Sequence, residues 1–293
     1  MTNLKAMIRF YYILLLFIMA QNTVYSQATS VKTSQTKQNK ATGNNDHLTY
    51  TVKVSEGDAR CQILINDVPL MYYEGRGDRS FYANGAILNS GSQSIKIVTE
   101  GKTPLVTITE TKNVPREYRQ KEIWKNEGSL QGSFIAAVPY DIAGWKYNKA
   151  LPNDKTIQTE ALKWFEQMGE LLKNGKGSEF MSQLVPAEKT AAVLYNLKEE
   201  EMTQFHNGWT GYINKKNYTM IPVSECKIEI VGNGKLVHLV NKLKEGGFVL
   251  KANNGQMVFL DIYLHLPEHK TKLEPILANF KEITTDFKKA RNN

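Results

Sequence analysis

Cys61-Gln62-Ile63-Leu64-Ile65 running into Asn66-Asp67-Val68-Pro69, then Ala86-Ile87-Leu88 leading through Asn89-Ser90-Gly91-Ser92 into Gln93-Ser94-Ile95-Lys96-Ile97-Val98, decide how the chain is read. The first run is rich in β-branched residues and ends where Asn-Asp offers a side-chain-capped turn and proline withholds a ladder donor. The second alternates polar and apolar residues around a glycine turn, as a half-buried hairpin does. Outward from these, Leu48, Tyr50, Val52 and Val54 alternate with polar residues up to a turn at Glu56-Gly57-Asp58. Leu105-Val106-Thr107-Ile108-Thr109 and Gly132 to Val138 complete the set. Short strands at this spacing, with no helical pattern between them, predict an all-β sandwich over residues 48–139.

The period changes after a connector at 140–155, which holds Gly144 and Trp145-Lys146-Tyr147. Ile157, Ala161, Leu162, Phe165, Met168, Leu171 and Leu172 recur at helical spacing and stop at Asn174-Gly175. Shorter helical patterns follow over 179–184, 186–197 and 199–206. Two hairpins come next, 225–231 with 235–241 around Gly232-Asn233-Gly234, and 248–252 with 256–264 around Asn253-Asn254-Gly255. A last helix is expected from Pro275, with Ile276, Phe280, Ile283 and Phe287 as its apolar stripe. Residues 156–291 therefore predict an α+β domain, helices followed by a four-stranded antiparallel meander.

At 293 residues, with 41% hydrophobic and 23% charged content, the chain has material for two cores. Residues 1–26 read as a signal peptide: Lys5 and Arg9 are basic, Phe10 to Ala20 is apolar, and Val24-Tyr25-Ser26 ends small. The apolar run is too short to span a bilayer comfortably, so no stable membrane span is expected after cleavage. Residues 27–47 are polar with little to bury, a disordered leader. Without Lys5 and Arg9 the formal charge falls from +8 to +6. The lysines are scattered among glutamates with no arginine-rich or aromatic-basic block, which argues against nucleic acid as a partner. Cys61 and Cys226 lie in strand-like runs as free core thiols, and two cysteines make no tetrahedral metal site. No metal and no cofactor is expected.

Few residues invite chemistry. Arg76-Gly77-Asp78 spells an adhesion tripeptide, but Gly75, Gly77 and Asp78 are also what a polar loop between strands needs. His265 and His269 have helical metal spacing, yet Pro267 between them makes both loop residues. Aromatic residues gather at Trp164-Phe165, Tyr195, Phe205, Trp209 and Tyr212. Trp209 and Tyr212 are the ligand-binding candidates, because Gly208 and Gly211 predict an irregular segment there and flat aromatic faces suit sugar rings. Along 256–264 the aliphatic face of Val258, Leu260, Ile262 and Leu264 is core, and Met257, Phe259, Asp261, Tyr263 and His265 occupy the other. That second face is either the solvated side of an ordinary sheet or a cavity wall on which Asp261, its pKa raised by desolvation, acts as base beside His238 and Tyr263. No nucleophile elbow, phosphate loop or zinc-protease motif is present.

In element order, helices before a curved meander, residues 156–266 resemble the NTF2-like cone fold. The front half, with Ile65-Asn66-Asp67-Val68-Pro69 and Ser90 to Ile97, is similar to sandwich modules of uncharacterised secreted proteins of Bacteroidota-type bacteria, which implies a periplasmic or secreted location and no activity. The resulting expectation is a non-catalytic binding or interaction protein with a protein or glycan partner. A small hydrolase or isomerase using Asp261, and an inhibitor or immunity-type protein, are the alternatives.

Overall fold

The computed structural model describes residues 48–283 except 56–59, 75–76, 115–116, 149, 153–154, 245 and 254. Residues 1–47, where a signal peptide and leader are expected, the turn at Glu56-Gly57-Asp58 and Arg76 of the tripeptide lie outside the described residues. Eight strands come first: β1 (Leu48–Ser55), β2 (Arg60–Ile65), β3 (Val68–Tyr73), β4 (Arg79–Tyr82), β5 (Gly91–Glu100), β6 (Leu105–Val114), β7 (Glu117–Lys125) and β8 (Gln131–Ala136). They build two antiparallel sheets, ordered β4-β1-β6-β7 and β3-β2-β5-β8. Period-two patterning explains why these sheets share a core. Tyr50, Val52 and Val54 of β1, Val106 and Ile108 of β6, and Cys61, Ile63, Ile95, Ile97 and Phe134 of the other sheet belong to one buried cluster. Each buried Val, Ile or Phe contributes about 1.5–3 kcal/mol.

Asn66 and Asp67 form a two-residue hairpin between β2 and β3, both with positive φ, at 52° and 63°. This handedness matches strand twist, and Asn and Asp tolerate it better than other non-glycine residues. The Asn66 amide donates to the Ala86 carbonyl at 2.8 Å and to Gln93 Oε1 at 2.7 Å, which fastens the turn to the neighbouring loop. Pro69 therefore does not end the strand pair. It sits inside β3, an edge strand, where its missing N–H costs no ladder bond. The expected strand at Ala86-Ile87-Leu88 is instead a 3-10 turn over Asn84–Ala86, and β5 pairs with β2 and β8.

Four helices follow: α1 (Lys155–Lys173), α2 (Gly177–Gln183), α3 (Val185–Leu194) and α4 (Glu199–Lys215). The third sheet holds β9 (Tyr218–Met220), β10 (Lys227–Val231), β11 (Leu236–Val240), β12 (Phe248–Ala252), β13 (Met257–His265) and β14 (Glu274–Ile283). Two expectations are corrected here. The segment from Pro275 is not a helix but β14, paired with β13 along its whole length. Its Pro-Ile-Leu-Ala-Asn-Phe run satisfies period two as well as a helical stripe, and the open edge of β13 decides between them.

The four-stranded meander is replaced by a different order. Both expected hairpins form, but β11 and β12 lie end to end along one edge of β13: Leu236 to His238 pair with His265 to Tyr263, and Phe248 to Lys251 with Leu260 to Met257. The intervening residues leave the ladder and return at a Val240–Gly246 bridge. Gly247 makes the return possible. Its φ is +71°, and a Cβ there would overlap the Leu260 carbonyl.

This sheet is buried on both faces. Val258, Leu260, Ile262 and Leu264 pack with Ile157, Ala161, Phe165, Met168 and Leu172 of α1 in a second core cluster. The opposite face lies against the N-terminal strands, so Leu236, Tyr263 and Leu277 join the first cluster. The Asp67 carbonyl accepts the Gly232 N–H at 2.9 Å and Asp67 Oδ2 accepts the Asn233 N–H at 2.8 Å, joining two hairpin turns. Residues 140–148 and 150–152 run along the same seam, with Trp145 buried and the Leu151 N–H donating to Gly234 at 2.7 Å.

Candidate functional site

Strand register alone brings His238, Asp261 and Tyr263 together. His238 of β11 stands opposite Tyr263 of β13, and Asp261, one same-face step along, sits where β11 gives way to β12. The His238 and Tyr263 rings stack at 4.3 Å between centroids and 6° between planes. His238 Nε2 donates to Asp261 Oδ1 at 2.7 Å. The Tyr263 hydroxyl lies 3.3 Å from Asp261 Oδ2 and donates to the Pro69 carbonyl at 2.7 Å. A phenol carries one proton, so the shorter contact to Pro69 takes most of it. Gly246 closes the cluster, since a Cβ there would collide with both Asp261 and His238.

Neither expectation for this face is met. It is not solvated: Asp261 is 4% exposed and His238 2%, with Gly246 packed against both and Tyr263 beside them bonded to Pro69 of β3. Nor is the acid pushed toward the protonated form. Burial, the largest single influence, raises the Asp261 pKa, but the His238 charge and hydrogen bond, the Lys281 charge and the Tyr263 hydroxyl together hold it below its ordinary value. Lys281 in turn donates to the Leu70 carbonyl at 2.8 Å, so the charged groups also tie β14 to β3. His238 Nδ1 is buried without a hydrogen-bond partner among the described residues.

Trp209 and Tyr212 are on a helix, not an irregular segment. α4 continues through Gly208 and Gly211 to Lys215 because its apolar side keeps a packing surface. Trp209 meets Phe280 edge-on at 4.8 Å, and Tyr212 stacks on Tyr218 at 5.7 Å. His265 is likewise no loop residue: it ends β13, buried, with Nδ1 2.8 Å from Asn148 Nδ2. Burial holds its pKa down to about 4. Asp78 of the tripeptide pairs with Lys53 at 2.7 Å on the surface. Cys61 is buried and Cys226 half-buried, and both are free thiols.

A separate concavity was not singled out by sequence. It is a groove of about 440 Å³ between α1 and the β13–β14 connector, lined by Glu160, Lys163, Trp164 and Gln167 on one side and Thr271 to Leu273 on the other. Helical spacing at 160, 163, 164 and 167 was the available signal, but nothing local marks which loop the face meets. Among the described residues, no three His, Cys, Asp or Glu side chains group as a metal site, and no helix is long and apolar enough to cross a membrane. Comparison with family models, curated proteins and solved structures finds no match to this chain.

Proposed function

We propose that the protein is an exported, non-catalytic binding protein, its N-terminal strands a sandwich scaffold and its C-terminal half a cone-like α+β layer presenting the ligand surface. The observation carrying this reading is the state of Asp261. A general base needs a free lone pair within hydrogen-bond reach of a substrate proton. Here one carboxylate oxygen is held by His238, and Asp261 is 4% exposed, so no substrate proton comes within that reach. The set is enclosed between two sheets and works as a polar joint. The open groove at Trp164 is where a ligand has access.

The test assays full-length protein and Asp261→Asn against ester, glycoside and keto–enol substrates, beside N-terminal sequencing of protein from the envelope and medium. The reading expects no turnover from either protein and a mature terminus near Gln27. Turnover by wild type that Asp261→Asn abolishes would establish the hydrolase or isomerase alternative instead.

A further inference from the structure

The groove at Trp164 has a chemistry of its own. Trp164 is half-buried, anchored edge-to-face on Phe165 at 5.2 Å between centroids, so its indole is a fixed wall rather than a mobile side chain. Glu160 Oε1 accepts the Leu273 N–H at 2.9 Å and pins the connector that forms the opposite wall. That bond already engages the groove's single carboxylate. Lys163 and Lys272 stand on the two walls, both exposed, and neither has an ion-pair partner among the described residues. Some surface lysines of this chain are paired, as Lys53 is with Asp78 and Lys242 with Glu225, whereas these two are free to meet a ligand. Gln167 and Thr271 add an amide and a hydroxyl at the rim.

A rigid aromatic face with hydroxyl-matching groups at its edge suits the C–H face of a pyranose ring. A nucleobase has two flat faces to cover, and this groove offers one aromatic wall. Two unpaired ammonium groups facing one engaged carboxylate favour an anion. We propose that this groove binds an acidic saccharide, a uronic-acid-type ring laid on Trp164 with its carboxylate between Lys163 and Lys272. The open form of the groove suits an internal stretch of polymer, whose neighbouring rings continue past either end. This rests on the binding-protein reading above and narrows it to one ligand class.

The test is calorimetric titration of the full chain with oligogalacturonate, with a neutral malto-oligosaccharide of equal length and a nucleoside monophosphate as comparisons. The expected result is saturable binding of the acidic sugar, at least about tenfold tighter than the neutral one, weakening as salt rises. Trp164→Ala should lose about tenfold or more for the acidic sugar, and Lys163→Gln with Lys272→Gln should erase the preference for acid over neutral. Lys163 and Lys272 are exposed and Trp164 is half-buried against the core, so thermal melting of each variant checks that the fold is retained. No binding of the acidic sugar, equal affinity for the neutral one, preference for the nucleotide, or binding indifferent to Trp164→Ala would each overturn the proposal. Such failures leave the non-catalytic reading standing. Turnover dependent on Asp261 removes that reading without touching the groove.

Discussion

The hydroxyl of Tyr263 donates to the carbonyl oxygen of Pro69 at 2.7 Å, joining residues 194 positions apart in the chain. Pro69 is in an edge strand of the second sheet and Tyr263 in the middle of the third, so this bond crosses from one layer to the next. Tyr263→Phe leaves the ring stack on His238 in place and removes only the donor. A buried carbonyl left unsatisfied costs about 1–3 kcal/mol, and the denaturation midpoint should fall accordingly. An unchanged midpoint would mean that water reaches Pro69.

His265 sets a pH limit. Its pKa is about 4 in the folded protein against an ordinary 6.5, so the unfolded chain binds the extra proton between these values. Stability is complete above about pH 6.5 and is lost as pH falls toward 4, with a ceiling of about 3 kcal/mol from this group. Asp261 adds to the acid limb below about pH 4, because its lowered pKa stabilises the fold only while the carboxylate is ionised. His265→Gln should flatten the slope between pH 6.5 and 4 in urea titrations. A slope identical to wild type would assign the acid sensitivity elsewhere.

Glycine substitutions separate close approach from helix propensity. Gly247→Ala forces a left-handed residue, costing about 1–2 kcal/mol before its Cβ meets the Leu260 carbonyl. Gly246→Ala intrudes on the His238–Asp261 pair and should cost at least as much. Gly211→Ala, within α4 and facing open space, should stabilise by about 0.5–1 kcal/mol. Equal effects at the three positions, read from urea midpoints, would contradict the packing described around Asp261.

What the sequence made legible follows from locality. The turn at Asn66-Asp67, the hairpin at Gly232-Asn233-Gly234 and the helix expected from Thr156 rest on turn chemistry and periodicity and are present in the structure, although the strand pair beyond Asp67 is not legible from Pro69. β7, with Glu117, Arg119, Lys121 and Glu122 along it, went unread because its charges mask the period, and pairing with β6 fixes it. The Pro275 segment reads as a helix yet forms β14, because one pattern serves two periods. The collinear placement of β11 and β12 depends on which strand offers a free edge, a tertiary fact. Face alternation along 256–264 puts Asp261 with Tyr263, and His238 comes to them from the neighbouring hairpin, whereas the tie to Pro69 of β3, 194 positions upstream, is not local.

The cysteines offer a chemical probe of burial. The Cys61 thiol is pushed up to about 11 by burial and the Cys226 thiol is raised by burial and the nearby Glu225 charge. Thiolate is the reactive form, so both should resist alkylation at neutral pH in the native protein, Cys61 until global unfolding and half-buried Cys226 for less time. Mass spectrometry after timed iodoacetamide exposure reads this directly. Native labelling of Cys61 at the rate of a free thiol would show that the first core opens.

On the proposed reading, His238 and Asp261 form a structural joint rather than a catalytic pair. A double-mutant cycle in urea unfolding, with His238→Ala, Asp261→Ala and both together, tests it most directly. Breaking a buried pair from either side leaves an uncompensated polar group, so each single variant should lose about 3–5 kcal/mol and the double variant clearly less than their sum. Polar groups held for catalysis behave oppositely, because active sites trade stability for function. Single variants as stable as wild type, or more stable, would contradict the account.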